Sequence, residues 1–271
     1  MTSSTDSMRI LCVIPVRGGS KGVPGKNARL VAGKPLVAWT IGQALAARPA
    51  MDVVVSTDDE RLARIAREAG AEVPFLRPAE LAQDTTPTEP VVRHAIEERT
   101  KAGRRPDAVM LLQATSPVRL PGTIDRAIVQ FAETGVDSLV GVVPQTPFLW
   151  RTPAAAGGEH AAADTAFPHF DVDARPRRQD LDVDDYFYRE TGSLYLTRTE
   201  LYEQRDNRIG GRVGLFVMSD DEGVDIDTLL DLEVAQQQLE RLFSGSAPET
   251  AQRHSAASAP DPTTAVQENA Q

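Results

Sequence analysis

Ile10-Leu-Cys-Val-Ile-Pro-Val-Arg-Gly-Gly-Ser-Lys-Gly-Val-Pro-Gly-Lys-Asn27 joins an apolar, β-branched run to a turn made of glycines and cations. The apolar part reads as a buried strand over 9 to 15, and the helical periodicity over 35 to 47 makes the turn part of a strand-to-helix connection. In an open α/β sheet that position borders the ligand crevice. Gly18, Gly19, Gly22 and Gly25 let the backbone approach a ligand and aim its N–H groups at it, while Arg17, Lys21 and Lys26 can neutralise phosphate charge. A triphosphate is the natural occupant. Two familiar phosphate loops are excluded. A P-loop needs Gly where Ser20 stands and Ser or Thr where Asn27 stands, and the dinucleotide fingerprint also fails at Ser20.

Outward from this stretch, strand and helix signals alternate. Strands are expected over 52 to 56, 72 to 75, 107 to 112, 138 to 143, 193 to 197 and 213 to 218; helices over 59 to 69, 88 to 102, 120 to 134 and 228 to 243. Stacked βαβ units of this kind build an α/β fold with a mostly parallel sheet flanked by helices. Residues 145 to 190, rich in Pro, Ala, Gly and Asp, are too long for a connection inside a compact domain and read as an insertion. Residues 1 to 7 and 244 to 271, rich in Ser, Thr, Ala, Pro and Gln, read as disordered tails.

The net charge of −10 argues against a nucleic-acid binder, yet no Asp or Glu occurs between Met8 and Met51, where a small polyanion would be welcome. No apolar run approaches the roughly 20 residues of a membrane helix, and no signal-peptide layout precedes the first strand. A single cysteine, Cys12, fits a reducing cytoplasm and a buried strand position. The four histidines are scattered without zinc-like spacing.

In an extended segment, Asp225-Ile226-Asp227 turns both carboxylates to one face while Ile226 faces the core. Such a pair can hold Mg²⁺, which in nucleotide enzymes takes one or two carboxylates beside phosphates and waters. Alternatively Asp227 caps the helix that follows.

The segment Ile14 to Asn27 resembles the opening signature of the CMP-sialic acid synthetases (acylneuraminate cytidylyltransferases), with Val16 in place of Ala. Further motifs follow in the family's order: Ser56-Thr-Asp58, Arg77-Pro-Ala-Glu-Leu-Ala82 with Asp84, Leu111-Leu-Gln-Ala-Thr-Ser-Pro117, Arg178-Gln-Asp-Leu181, Gly192-Ser-Leu-Tyr195 and Asp225-Ile-Asp227. The resemblance spans about 9 to 243. It implies a Rossmann-like nucleotidyltransferase fold whose insertion serves dimerisation, and an enzyme that moves CMP from CTP to a nine-carbon 2-keto sugar acid.

By the same resemblance Arg17, Gly18, Gly19, Ser20, Lys21, Lys26 and Asn27 surround the CTP phosphates, with Arg17, Lys21, Asp225 and Asp227 catalytic. Arg77, Thr86 and Thr88 contact the nucleotide. Gln113, Thr115, Ser116 and Arg178 meet the sugar, with Arg151 a second candidate for its carboxylate. Read from the residues alone, Thr85-Thr-Pro-Thr88 is equally N-capping chemistry, Arg77 a surface residue and Ser116-Pro117 a turn. The resemblance also implies a homodimer in which the insertion completes the partner's sugar site. One departure bears on the sugar: Thr191-Gly192-Ser193 stands where the family commonly has Asn-Gly-Ala. The rival readings are CMP transfer to Kdo or to another acidic acceptor such as a phosphonate, and a non-catalytic nucleotide-binding protein on the same fold.

Overall fold

A computed structural model describes residues 8–19, 22–152 and 166–243. The expected tails, and Ser20 and Lys21 of the glycine turn, lie outside the described residues. In chain order the elements are β1 (Ile10–Pro15), β2 (Leu30–Val31), β3 (Lys34–Pro35), α1 (Leu36–Ala46), β4 (Asp52–Ser56), α2 (Glu60–Glu68), α3 (Thr88–Lys101) and β5 (Ala108–Leu111). They continue with α4 (Thr123–Thr134), β6 (Ser138–Gln145), β7 (Trp150–Arg151), β8 (Phe167–Pro168), β9 (Phe187–Arg198), α5 (Thr199–Arg205), β10 (Val213–Val217) and α6 (Leu229–Phe243).

Six strands form one sheet in the order β10-β6-β9-β5-β1-β4. The β1–β4, β1–β5 and β10–β6 pairs are parallel, and β9 runs against both β5 and β6. Five strands therefore share one direction, as the alternating pattern requires, with one reversed strand inside. Because both faces are covered by helices at the centre of the sheet, β1 and β5 are apolar throughout rather than alternating with polar residues. Successive residues of β1 go to opposite cores: Ile10, Cys12 and Ile14 pack on the side that includes Ile41, Leu62 and Ile128, while Leu11 and Val13 pack against Val92, Ile96 and Tyr202. Full burial of each such side chain contributes about 1.5 to 3 kcal/mol. A third cluster seats α6 on the β2–β3 hairpin through Val31, Trp39, Ile226, Ala235 and Leu239.

Two expectations change, and a third feature, the β2–β3 hairpin, lies outside the expected elements. The strand expected over 72 to 75 shrinks to a single bridge, Val54 to Glu72, because Pro74 brings no N–H to continue the ladder. The strand expected over 193 to 197 is longer, beginning at Phe187. The β2–β3 hairpin turns at Ala32 and Gly33, both at positive φ, as a type I′ turn demands.

The topology locates the cleft. From β1 the chain crosses by α1 to β4, whereas from β5 it crosses by α4 to β6 on the other side. The sheet's direction of winding thus reverses between β1 and β5, and ligands bind beyond the carboxyl ends of strands at such a point. The loops leaving these two strands are the glycine-cation turn and the segment beginning Leu112-Gln113-Ala114.

Candidate active site

A cavity of 320 Å³ opens at that reversal. Arg17, Gly19, Lys26 and Asn27 of the first loop line it, with Arg77, Thr86 and Thr88 before and at the start of α3, and Gln113 and Thr115 beyond β5. Nine residues singled out from the sequence thus meet in one cleft. Gly18 lies on its flank: its N–H donates to Asp58 at 3.2 Å, and it lines a smaller hollow of 50 Å³ beside Asp59 and Arg61. A larger cavity of 410 Å³ lies between α1, α4 and Phe243. Its walls mix Trp39, Ala46, Ile124 and Phe243 with Lys34, Gln43, Arg119 and Asp125, but it lies away from the glycine turn and the point of reversal, so position rather than size identifies the site.

The glycine turn is held from several sides. Arg17 pairs with Asp84 at 2.5 Å, and its carbonyl accepts from the Asn27 side-chain amide at 3.2 Å. Lys26 is 8% exposed, donates to the Ile226 carbonyl and lies 3.9 Å from the Asp227 carboxylate. At Gly22 a side chain is barred, since a Cβ there would sit 2.3 Å from the Asp227 carbonyl oxygen. The turn and the Asp225-Ile-Asp227 segment therefore touch.

That segment belongs to no strand and bends at Asp227, but its burial alternates as expected, with Ile226 fully buried, Asp225 half-buried and the Asp227 side chain 83% exposed. Its backbone is fixed by Ile226 N–H donating to the Thr115 carbonyl at 2.8 Å. Asp227 does not cap α6. Thr228 and Asp231 form the capping box instead: the Thr228 hydroxyl accepts from the Asp231 N–H at 3.2 Å, and the Asp231 carboxylate accepts from the Thr228 N–H at 2.7 Å. The Thr228 hydroxyl and backbone, with the Asp227 N–H, hold the Asp231 carboxyl below its ordinary range. Two neighbouring carboxylates, neither consumed by the helix cap, beside a cleft that admits a polyphosphate are a donor set suited to a hard divalent cation. Among the described residues no group of three or more His, Cys, Asp or Glu could hold a metal alone. Asp225 and Asp227 would need phosphate and water to complete a coordination shell.

Other expected site residues take different places. Arg77 is not a surface residue: it is 7% exposed, its Nε donates to the Ser56 hydroxyl at 3.1 Å and its Nη2 to the carbonyls of Val16, at 2.8 Å, and Ser56. Burial lowers its pKa to about 10, opposed by Asp58 and assisted by Arg17, so it stays cationic at neutral pH. Arg77 thus ties β1 to β4 at the cleft floor while one edge lines the cavity. Arg77→Met is expected to lose about 2 to 4 kcal/mol of stability, because buried carbonyls are left unpaired; urea unfolding measures it. Thr88 opens α3 after Pro87, and no side-chain cap bond forms there, while the Thr86 hydroxyl donates to the Glu80 carbonyl at 3.3 Å.

Ser116, expected at the sugar, is fully buried and outside the cavity lining. Its hydroxyl is within bonding range of the Thr191 carbonyl at 3.0 Å and of Asp225 at 3.3 Å, so it braces the acidic segment. Arg178 sits in an exposed single turn over Arg178–Asp180, outside the cavity lining. Arg151, in β7, is exposed and likewise outside it. Thr191, the departure from the usual Asn, is buried with its hydroxyl donating to the Gly141 carbonyl at 3.2 Å.

Two residues with long reach escaped the sequence. Glu222, fully buried, accepts from the Leu120 N–H at 2.9 Å and the Thr123 hydroxyl at 2.6 Å, clamping the approach to Asp225 onto the start of α4. Arg119 is 1% exposed and bonds four groups around the end of β5. The signal was present in its setting: a cation inside the apolar run Pro117-Val-Arg-Leu120 must find partners if the run is buried.

Comparison with known proteins bears on the family and the fold. The cytidylyltransferase family profile matches residues 11–247. The chain is 35% identical over 237 residues to the CMP-N,N'-diacetyllegionaminic acid synthase of Legionella pneumophila, covering 86% of this chain and 97% of that one. It is 34% identical over 235 residues to N-acylneuraminate cytidylyltransferase A of Danio rerio, covering 87% of this chain and 52% of that longer protein. In three dimensions it is similar to CMP:2-keto-3-deoxy-manno-octonic acid synthetase, with a TM-score of 0.59, 17% identity, and coverage of 85% of this chain and 98% of that one.

Proposed function

The chain belongs to the cytidylyltransferase family and within it to the CMP-sialic acid synthetases, and on that premise we propose that it transfers CMP from CTP to the anomeric hydroxyl of a sialic-acid-like nine-carbon 2-keto sugar acid, releasing pyrophosphate. The observation that carries the reading is the contact between the glycine turn and the acidic segment: Lys26 lines the cleft, bonds the Ile226 carbonyl and faces Asp227. A triphosphate on the turn would lie beside both carboxylates.

In this reading Arg17, Lys26 and Asn27, with the backbone of Gly18, Gly19 and the neighbouring Ser20 and Lys21, hold the phosphates. Arg77, Thr86 and Thr88 fix the nucleoside end. Gln113 and Thr115 orient the acceptor, and Arg178 or Arg151 would meet its carboxylate only if the insertion, or a second copy's, closes on the cleft. The sugar oxygen attacks the α-phosphorus in line, its new bond replaces the one to the bridging oxygen, and pyrophosphate departs with that electron pair as the hydroxyl gives up its proton. Lys26 and Arg17 offset charge growing on the leaving group, and fixed donors do so without reorganising. Asp225 and Asp227 would hold a divalent cation, proposed as Mg²⁺, which would supply Lewis-acid stabilisation of the phosphates.

We also place the protein in the cytoplasm, where the lone, buried Cys12 stays reduced; among the described residues no helix is long and apolar enough to cross a membrane. A homodimer is supported by the β7–β8 hairpin, which leaves Trp150 54% and Phe167 52% exposed within the segment read as a dimerisation arm. Sedimentation at micromolar concentration is expected to give twice the chain mass; a monomer that retains full sugar-dependent activity would contradict the shared site.

Pyrophosphate release, measured with each nucleoside triphosphate against a panel of nine-carbon 2-keto sugar acids, Kdo and phosphonates, tests the function. CTP with a nine-carbon acid should be the productive pair. Preference for Kdo or a phosphonate would replace the acceptor, and CTP binding without turnover on any acceptor would favour a non-catalytic nucleotide-binding protein.

A further inference from the structure

We infer that Arg119 is a positioning residue that sets the acceptor-facing side of the cleft by holding Gln113 in place; this rests on the cytidylyltransferase reading. Gln113 leaves the end of β5 and lines the cavity. Its neighbour in space is Gly192 of β9, where a Cβ would lie 2.3 Å from the Gln113 side-chain oxygen and where φ is +71°. The amide of Gln113 therefore lies directly over a glycine, and its direction depends on how β5 and β9 are aligned at this point.

Arg119 makes that alignment. Its Nη2 donates to the carbonyl of Gln113 at 3.1 Å and to the carbonyl of Ser193, next to Gly192, at 2.5 Å. Its Nη1 donates to Gln43 at 3.0 Å and Thr40 at 3.3 Å, both on α1. One planar guanidinium thus fixes the residue that lines the cleft and the residue beside its glycine support to a common helix. Lysine cannot reproduce this, since a point charge on a flexible stem does not hold two fixed carbonyls and two helix groups in one plane. The position is costly: Arg119 is 1% exposed, and its Nε has no partner among the described residues. Burial lowers its pKa to about 10, partly countered by Cys12 and Glu222, so the group remains a cation. The CTP side is built on different elements, Arg17 to Asn27 and Arg77, which Arg119 does not touch in any bond described.

The effect should therefore fall on the acceptor. Arg119→Lys is expected to lower kcat/KM for the sugar acid by about 10²-fold, the scale of an ångström-level misplacement, with KM for CTP unchanged. Gln113→Ala should cause a similar loss, and the double variant should be no worse than Gln113→Ala alone, because Arg119 acts through that side chain. Additive losses, or a KM for CTP that rises in step with that for the sugar, would overturn the inference. If Arg119→Lys does not fold, Gln43→Met removes one anchor from α1, and it should raise the sugar KM alone; no change in the sugar KM would also overturn it. Wild-type enzyme inactive with CTP and every acceptor would remove the functional reading and this inference together, whereas an active wild type with additive losses removes only the role of Arg119.

Discussion

Asp227→Ala is expected to lower kcat by about 10²- to 10³-fold, the scale seen when one preorganised electrostatic stabiliser of a transition state is removed, while leaving the fold intact. The side chain is 83% exposed, and the cap of α6 is made by Thr228 and Asp231, so its loss should change stability by no more than about 0.5 kcal/mol. CTP should still bind. Lys26, relieved of a carboxylate 3.9 Å away, presents more net positive charge to the triphosphate, and the Ile226 carbonyl still holds the ammonium in place. Thr228→Ala separates the two roles: it should cost about 1 kcal/mol through the lost cap and leave kcat unchanged. Titration of CTP binding, steady-state rates and urea unfolding on both variants check the contrast. Normal turnover by Asp227→Ala with a divalent cation still required would remove the carboxylate from the metal site.

Gly22→Ala is expected to be as damaging by a different route. The added Cβ would sit 2.3 Å from the Asp227 carbonyl oxygen, well inside any contact that two such atoms tolerate, and the obstacle is backbone rather than a movable side chain. Either the glycine turn or the acidic segment must withdraw. The segment is anchored by the Ile226–Thr115 backbone bond at 2.8 Å and by the buried Ile226, so the turn is the part that moves. A displacement near an ångström costs about 10²-fold in kcat/KM. Unlike Asp227→Ala, this variant should also bind CTP more weakly, because the donors move away from the phosphates. Isothermal titration with CTP distinguishes the two: unchanged affinity in Gly22→Ala would mean that the turn and the triphosphate are not coupled.

The parts of this fold that are legible in the sequence are those set by short-range pattern. The strand over 52 to 56 and the helix over 88 to 102 emerge within a residue, because an unbroken β-branched run and a period of 3.6 are local properties. The reversed strand is less legible. Phe187 to Glu190 carry no clean alternation and are exposed, and only pairing with Val142 to Gln145 makes them strand. The hairpin at Ala32-Gly33 lacks the Asn-Gly or Asp-Gly signal that usually betrays a type I′ turn.

The site divides in the same way. The glycine turn and the acidic pair are contiguous and could be read directly, but their contact joins positions about 200 residues apart. Charge was legible only along the chain: the first segment has no carboxylate of its own, yet folding brings Asp84 to Arg17 and Asp58 to the Gly18 N–H. The cleft's field is therefore less positive than the linear sequence suggests. Ser116 faces the core because its hydroxyl is taken by Thr191 and Asp225, partners 75 and 109 residues away.

A crystal structure with CTP and Mn²⁺, the metal located by its anomalous scattering, tests the central claim most directly. The triphosphate should rest against Arg17 to Asn27, with the metal bridging it to Asp225 or Asp227 directly or through one water. A nucleotide seated away from that turn, or a metal bound with neither carboxylate in its coordination or water shell, would contradict it.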